Sequence, residues 1–208
     1  MKNYKELSKN EFNKEAKKFD HAKSTDIYKM CQESYGSLLE ETNKECFHSL
    51  LDVGCGTGNS IEKLYSENSE RSYTGIDLSE NMIKIARNKE LKGVNFLVGD
   101  AENLAFEENK FDVIICKESF HHYPNVNNFF ESAYRVLKPG GRMIILDMTI
   151  PLLGRWIDNH IILKLINTGD VHIYGLKEVE ELYKNVGFKI ERLEKIGKMR
   201  FISTGRKK

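Results

Sequence analysis

An acid followed by closely spaced glycines marks one stretch of the sequence as a candidate ligand-binding loop. The segment LLDVGCGTGNS spans residues 50–60, and its acid is Asp52. Its glycines recur at every second position, at Gly54, Gly56 and Gly58. A glycine-rich turn after a strand lets a ligand lie against bare backbone, because no side chain stands in the way. The loop therefore favours ligand binding but leaves the ligand open.

Two further apolar runs end in an acid, and a third ends in a lysine. Asp77 ends SYTGID, Asp100 ends VNFLVGD and Lys117 ends FDVIICK. Runs of this length and composition predict strands, and ligands of parallel sheets bind where the carboxyl ends of the strands meet. We therefore expect these three residues and Asp52 to surround one site.

The three acids match the polar groups of an adenosine that carries a cationic tail. The carboxylate of Asp77 can accept hydrogen bonds from both ribose hydroxyls, and that of Asp100 can accept one from the adenine amine. The backbone N–H of Ala101 can donate to a ring nitrogen of the base. Asp52 can attract the positive group of the tail, directly or through water. S-adenosylmethionine is a molecule that meets all of these demands.

A ligand with phosphates fits the same loop less well. A dinucleotide-binding loop has the spacing GxGxxG, but here Gly58 comes one residue early and Asn59 occupies the position of the third glycine. The carboxylate of Asp52 would also repel a pyrophosphate at close range. The Gly-Lys-Ser/Thr ending of a Walker phosphate loop is missing from the sequence. A nucleotide-dependent oxidoreductase is therefore disfavoured.

The segment ESFHHYPN follows the fourth predicted strand and carries side chains suited to acid–base chemistry. Because the pKa of histidine lies near neutrality, His121 or His122 can accept a proton, and Tyr123 follows them directly. These three residues are the catalytic candidates; the alternative is that they pack against or cap the following helix. No metal is expected, because the two histidines have no evident third ligand in the sequence.

The elements that must position these residues alternate along the chain. Strands are predicted at residues 48–53, 72–77, 94–100, 111–117 and 142–148. Amphipathic helices separate them, and the helix within NVNNFFESAYRVLKPGG is expected to stop at Pro139 and the two glycines after it. A last helix leads to two strands that share only a short link and should therefore pair antiparallel. This order predicts an α/β protein with a mostly parallel sheet.

Five segments, taken in order, resemble the motifs of class I S-adenosylmethionine-dependent methyltransferases. They are LDVGCGTG, YTGIDLS, VGDAENLAF, FDVIICKESFHHYPN and RVLKPGGRMIILD. The nearest group is the small-molecule branch, similar to the ubiquinone/menaquinone biosynthesis methyltransferases. The resemblance implies a Rossmann-like three-layer sandwich, whose seven-stranded sheet is mostly parallel with one antiparallel strand in the edge region.

The resemblance also implies which residues bind the cofactor. They are Asp52, Gly54, Gly56, Gly58, Asp77, Leu78, Met82, Asp100, Ala101 and Lys117. Within this set, the first four line the methionine portion and the next two hold the ribose. Met82 either packs near the cofactor or is an ordinary apolar residue of its helix. The acid–alanine pair contacts the adenine, and the backbone of the lysine flanks the methyl-donor end.

A single domain of 208 residues is expected, in four parts. Residues 1–45 form an N-terminal helical cap, 46–147 the cofactor-binding core, 148–175 a lid-like insertion, and 176–208 a C-terminal helix and strand pair. Two aromatic residues of the cap, Phe19 and Tyr28, are candidates to close over the cofactor. The insertion contains an apolar segment around Trp156, which is expected to cover the acceptor pocket, to cover the core or to form a dimer contact.

Composition narrows the partners and the location. The 32 basic and 31 acidic residues give a formal charge of +1, so no nucleic-acid partner is expected. Charges interrupt the most apolar region, so no membrane span is expected. A charged start without an apolar segment argues against a signal peptide, and four cysteines without CxxC spacing fit a cytoplasmic protein. A homodimer is compatible with the sequence.

The sequence thus predicts an enzyme that moves a methyl group from S-adenosylmethionine to a small-molecule acceptor by in-line displacement. S-adenosylhomocysteine would be the second product. The alternatives are an RNA or protein methyltransferase and a non-catalytic regulatory protein that binds S-adenosylmethionine. No motif identifies the acceptor or tells whether its oxygen, nitrogen, carbon or sulfur is methylated.

Overall fold

A seven-stranded sheet forms the middle of the molecule in the part of the chain that the structure describes. The structure is a computed structural model that describes residues 2–19, 26–166 and 168–208, except for the side chains of residues 26–33. The strands are β1 (Ser49–Val53), β2 (Ser72–Asp77), β3 (Asn95–Val98), β4 (Phe111–Lys117), β5 (Leu137–Met148), β6 (Lys189–Ile196) and β7 (Arg200–Arg206).

The strand order is β3-β2-β1-β4-β5-β7-β6. β1 to β5 are parallel, whereas β7 lies antiparallel between β5 and β6. This arrangement confirms the predicted mostly parallel sheet and the antiparallel pairing of the last two strands. The chain order reverses direction between β1 and β4, so a crevice opens beyond the carboxyl ends of these two strands.

Helices cover both faces of the sheet and create two apolar layers. The helices are α1 (Tyr4–Phe19), α2 (Asp26–Asn43), α3 (Asn59–Glu67), α4 (Glu80–Arg87), α5 (Val126–Val136), α6 (Leu152–Ile157), α7 (Leu163–Leu165) and α8 (Leu176–Val186). Successive strand residues point to opposite faces, so Leu50 joins the core on the α2–α4 side and Leu51 the core on the α5–α8 side. The three-layer sandwich is confirmed.

Several predicted boundaries are wrong. β3 spans Asn95–Val98 and not 94–100, and β5 begins at Leu137 and not at residue 142. The helix expected to stop at Pro139 ends three residues earlier, at Val136, and β5 begins at Leu137. A residue that precedes proline is pushed towards extended backbone, which takes the preceding turn out of the helix. The turn that follows is fixed by Gly140, whose φ is 78°, and by a backbone pair between Gly140 and Lys207.

The insertion between β5 and α8 contains a continuous helical stretch. It consists of α6, a π-helical turn at Asp158–Ile162, and α7. Most of its large apolar side chains are exposed, with Trp156 at 53% and Leu165 at 79%. Within the described residues, neither this stretch nor any other helix combines the length and apolar character that crossing a bilayer requires.

Candidate active site

A cavity of about 550 Å³ lies at the carboxyl ends of β1, β2 and β4, beneath α1. Its size falls in the range of small-molecule sites. It brings together most of the residues singled out in the sequence: Gly54, Gly56, Asp77, Leu78, Met82, Asp100, Ala101, Lys117, His122 and Tyr123. Among the described residues, the predicted Asp52, Gly58 and His121 do not line it.

The three glycines after β1 serve different structural purposes. All three have positive φ, of 72°, 53° and 80° in chain order. A Cβ on Gly54 would lie 1.9 Å from the Ser119 hydroxyl oxygen, and one on Gly58 would lie 2.8 Å from the Phe96 ring. A Cβ on Gly56 would meet none of the described atoms within 4 Å. Gly56 is therefore the glycine that presents bare backbone to the cavity.

Asp77 links the glycine loop to the next helix. Its Oδ2 accepts a hydrogen bond from the backbone N–H of Gly56 at 2.9 Å, and its Oδ1 accepts one from Ser79 at 2.8 Å. Burial raises the pKa of this carboxyl, while these backbone donors oppose the rise. Each oxygen keeps a second lone pair, so the carboxylate can hold two neighbouring hydroxyls of a ligand.

Asp52 lies behind the loop and is almost fully buried, with 1% of its surface exposed. Its Oδ2 has no hydrogen-bond partner within the described chain, although Ser60 bonds to the carboxyl group. Burial raises its pKa to about 7, against the opposing charge of Lys117. A buried carboxylate oxygen without a partner is costly, so its presence beside a cavity indicates that a ligand or water satisfies it.

Asp100 and Glu102 meet a lysine from the N-terminal helix. Lys5 Nζ lies 2.7 Å from Oδ2 of Asp100 and 2.5 Å from Oε2 of Glu102. Oδ1 of Asp100 accepts from the backbone N–H of Glu102 at 2.9 Å. The acid expected at the adenine edge therefore already has a cationic partner from α1, a contact that local sequence could not reveal.

Helix α1 forms the roof of the cavity. Its lining residues are Lys5, Ser8, Glu11, Phe12, Glu15, Lys18 and Phe19. Asn13 Oδ1 accepts from the Ser79 hydroxyl at 2.7 Å and from the backbone N–H of Asn81 at 3.1 Å. Lys9 pairs with Glu80 at 2.8 Å. The sequence signal for this roof was its amphipathic spacing; Phe19 takes the position expected of it, and the Tyr28 side chain lies outside the described residues.

The insertion does not take the position over the cavity that was expected of a lid. Among the described residues, those between 148 and 175 are absent from the cavity wall. They approach it from outside, where the backbone N–H of Gly169 donates to Glu11 at 2.9 Å. A lid-like role for this segment therefore stays a prediction, while α1 covers the cavity.

Residues at and after the end of β4 build one side of the cavity. Lys117 places its ammonium 4.1 Å from the centre of the Tyr35 ring on α2, a cation–π contact. Glu118 adopts a φ of 51° and forms an ion pair with Arg200 on β7. A non-glycine residue with positive φ is uncommon and often marks a functional site. Tyr35 and Glu118 also line the cavity; Tyr35 lies outside the five motif segments, and Glu118 lies inside one of them without having been singled out.

The two histidines differ sharply in their surroundings. Nδ1 of His121 lies 2.6 Å from Oδ1 of the buried Asp147. Burial opposes the charged form of His121, but this carboxylate outweighs it and raises the pKa to about 9. Burial and the charge of His121 lower the pKa of His122 to about 3. At neutral pH, the cavity-lining His122 is thus neutral, whereas His121 is protonated and points away.

Tyr123 completes the wall next to His122. Its hydroxyl lies 2.7 Å from the Ser119 hydroxyl and 3.5 Å from the backbone oxygen of Val53. Burial raises the pKa of this phenol well above its usual value, so it stays protonated at neutral pH. Of the three catalytic candidates, His122 is the one that lines the cavity as a neutral imidazole and can accept a proton at neutral pH.

The donor set fits a phosphate-free, cationic nucleoside. Two carboxylates, of Asp52 and Asp77, lie close to the glycine loop, and the bare backbone of Gly56 faces the cavity. An anionic pyrophosphate would meet these acids at close range, whereas a sulfonium or ammonium group would be attracted. The residues present therefore suit S-adenosylmethionine better than a dinucleotide.

Comparison with known proteins points to one family. Residues 51–145 match a family described as "Methyltransferase domain". A phthiotriol/phenolphthiotriol dimycocerosates methyltransferase from Mycobacterium ulcerans is 41% identical over 100 residues, which cover 48% of this chain and 37% of that protein. A fatty-acid O-methyltransferase from Mycolicibacterium smegmatis is 36% identical over 99 residues, covering 47% and 36%. The aligned part thus spans well under two thirds of these relatives.

Solved structures share the fold over a longer stretch. A protein from Pyrococcus horikoshii OT3 superimposes with a TM-score of 0.68 and 26% sequence identity. The match covers 89% of this chain and 93% of that one. The agreement therefore extends beyond the motif-bearing core, which is the part that the sequence relatives match.

Proposed function

Because the chain belongs to the class I S-adenosylmethionine-dependent methyltransferase family, we propose that it methylates a small, partly apolar acceptor. The observation that carries the proposal is the convergence of the glycine loop, Asp77 and Asp100 on one cavity. These groups come from three successive strand ends, and each offers what one part of the cofactor requires.

In this proposal the protein binds the cofactor along the edge of β1, β2 and β3. The carboxylate of Asp77 accepts from the ribose hydroxyls, and the backbone at Gly56 lies against the methionine portion. The acid of Asp52 balances the positive charge of that portion. Asp100 and Ala101 hold the adenine, and Lys5 on the roof pairs with the acid. When bound, the cofactor supplies a methyl group on a positively charged sulfur.

The protein would accelerate transfer mainly by positioning. An acceptor held in line with the methyl group gains up to about 7–11 kcal/mol from orientation. The roof formed by α1 keeps water from the reacting atoms, and Phe12 and Phe19 add apolar surface to it. Lys117 and Tyr35 form the wall next to the donor end. Transfer needs no covalent bond to the protein.

His122 is the proposed general base for an acceptor that must lose a proton. It is neutral at pH 7 and can therefore accept a proton, although burial and the charged His121, which lower its pKa, also weaken it as a base. Asp170 lies 3.2 Å from its Nδ1, close enough to stabilise the imidazolium that forms. Removing such a base typically slows turnover by about 10²–10⁴-fold.

An apolar acceptor is favoured by two observations. The named relatives methylate a fatty acid and dimycocerosates, both lipids by their names. The side of the cavity near His122 carries the aromatic rings of Phe12, Phe19 and Tyr123. A molecule with an apolar body and one reactive polar group suits such a wall better than a charged polymer does.

Two measurements test the proposal. Calorimetric titration of the full chain should show binding of S-adenosylhomocysteine and none of NAD; the reverse would overturn the cofactor assignment. Methyl-labelled S-adenosylmethionine, mixed with separated lipid, small-metabolite, RNA and protein fractions, should then label a small molecule. Label in RNA or protein, or binding without transfer to any fraction, would instead favour a macromolecular methyltransferase or a regulatory protein.

A matched pair of variants tests the base. His122→Gln should lower turnover by about 10²–10⁴-fold and leave S-adenosylhomocysteine affinity unchanged, because glutamine cannot take the proton. His160→Gln changes an exposed histidine of the insertion and should leave both values as they are. Equal turnover in wild type and the His122 variant would remove this histidine from the mechanism.

A further inference from the structure

The side chains of His121, His122 and Asp170, beside the cavity, place three atoms that could ligate a metal ion close together. Oδ1 of Asp170 lies 3.5 Å from Nε2 of His121 and 3.2 Å from Nδ1 of His122. All three ligating atoms lie within 4.8 Å of one another. Ligands of a tetrahedral zinc ion, each at about 2.1 Å from it, are about 3.4 Å apart. The two measured distances match the spacing of ligands around a shared metal ion.

One of these atoms lacks a partner. Nδ1 of His122 is buried, and the described part of the chain offers it no hydrogen bond despite the nearby carboxylate. A buried nitrogen without a hydrogen-bond partner destabilises the folded protein. A metal ion between Nδ1 of His122 and Asp170 would supply the missing partner. The observed geometry provides no hydrogen bond between these two groups.

A second carboxylate fixes the other histidine. Asp147 Oδ1 lies 2.6 Å from Nδ1 of His121 and also accepts from the backbone N–H of Met148 at 2.6 Å. Its position turns Nε2 of His121 towards Asp170. A carboxylate behind a histidine in this way sets the tautomer and ring orientation of histidines that bind metals.

The loop that carries Asp170 is tied to the histidine segment. The backbone N–H groups of Val171 and His172 both donate to the backbone oxygen of His121, at 2.9 and 3.2 Å. The carboxylate is therefore held by its own backbone next to the two rings. Asp170 keeps a third of its side chain exposed, which leaves a path for an ion to enter.

We propose that His121, His122 and Asp170 form a binding site for a divalent transition-metal ion, with Asp147 as the positioning carboxylate. Two imidazoles and one carboxylate are a donor set that suits Zn²⁺, and the ion replaces the proton on Nε2 of His121, which is released to solvent. Three protein ligands leave a fourth position for water, as in catalytic rather than structural zinc sites. Binding itself does not depend on the proposed methyl transfer.

The site has a consequence for that transfer, and this part rests on the proposed function. An ion on Nδ1 of His122 leaves the proton of the neutral ring on Nε2. The ring then donates instead of accepting, so the loaded protein lacks the proposed base. Zinc loading should therefore slow methylation of acceptors that must lose a proton.

Zinc titration of the chelator-treated full chain by calorimetry tests the site. Wild type should bind one ion per chain, and Asp170→Asn and His122→Gln should each weaken binding at least 100-fold. Asp147→Asn should weaken it by about 10–100-fold, the usual effect of removing a carboxylate behind a histidine ligand. Cys46→Ser and His160→Gln remove exposed side chains of types that can ligate metals but that lie outside the proposed site. They should leave the zinc affinity unchanged.

The same proteins are titrated with S-adenosylhomocysteine to separate the possible failures. Asp170 lies in a surface loop, so the Asp170→Asn variant should fold. Retained binding of S-adenosylhomocysteine would show that it does. Zinc affinity that is absent in wild type, unchanged by Asp170→Asn or abolished by Cys46→Ser would overturn the metal site and leave the proposed cofactor site intact. Lost nucleoside binding with intact zinc binding would do the opposite.

Discussion

The two ends of the central sheet each hold a buried or partly buried aspartate, and the pKa values of these two carboxyl groups are shifted in opposite directions. At the amino end, Asp112 of β4 accepts hydrogen bonds from the backbone of His48 and Ser49 and pairs with Lys138 at 2.7 Å. Burial opposes ionisation there, but these partners outweigh it and lower the pKa of Asp112 to about 2. At the carboxyl end, burial raises the pKa of Asp52 to about 7.

The difference separates a carboxylate that serves the fold from one that awaits a ligand. Asp112 ties β1 to β4 through Ser49, whose hydroxyl also donates to it at 2.8 Å. Asp52 has an oxygen that no described group satisfies. A protein that keeps such a group in its interior gives up stability, and we propose that a ligand in the neighbouring cavity supplies the compensating contact.

The largest effect is expected from Asp77, which lies at the ligand end. Asp77→Ala should weaken S-adenosylhomocysteine binding by about 30- to 1,000-fold, because two charge-assisted hydrogen bonds to the ribose are lost. Asp77→Asn keeps the shape and one acceptor and should show a smaller loss. Calorimetry gives both affinities. An affinity that survives the alanine change would show that this carboxylate serves the loop through Gly56 alone.

Asp112 should show the converse pattern. Asp112→Ala leaves the N–H groups of His48 and Ser49 and the ammonium of Lys138 without their acceptor. We expect the free energy of unfolding, from urea denaturation, to fall by about 2–3 kcal/mol, with nucleoside affinity unchanged. Glu107→Ala removes an exposed acid of the preceding loop and serves as the control. Loss of affinity without loss of stability would erase the contrast between the two ends.

Sequence reasoning succeeded where backbone topology dictates position. Parallel strands must end at one edge, so Asp77, Asp100 and Lys117 could be placed together from the strand pattern alone. The same rule placed His122 and Tyr123 at the wall, because they follow β4 directly. The fold class followed from the alternation of strands and helices, and the structure confirms it.

Sequence reasoning failed where a site depends on segments that meet only after folding. Lys5 reaches Asp100 across 95 positions of the chain, and Asp170 meets His122 from a loop near the end of the insertion. Neither contact leaves a periodic or spacing signal. The sequence also could not show that the glycines have different roles. A Cβ on Gly54 would clash with Ser119, whereas one on Gly56 would meet no described atom, and nothing in the sequence distinguishes the two positions.

A smaller loss of affinity, with a distinctive pH dependence of stability, is expected for Asp52→Asn. The folded-state pKa of about 7 lies above the reference value of 3.8, so the contribution of Asp52 to stability is fully present below pH 3.8 and is lost as the pH rises through 7. Asparagine has the same shape and no charge. The variant should therefore be more stable than wild type by up to about 4 kcal/mol at pH 8 and nearly equal to it at pH 4, because each unit of the pKa rise corresponds to about 1.4 kcal/mol. Asp112, with its lowered pKa, has the opposite sign, and its contribution is lost as the pH falls from 3.8 towards 2. Urea denaturation of wild type and Asp52→Asn across this pH range measures the difference in stability. The affinity of the variant for S-adenosylhomocysteine should also fall about tenfold. A variant that is less stable than wild type at pH 8 would mean that other groups of the fold already satisfy the Asp52 carboxylate.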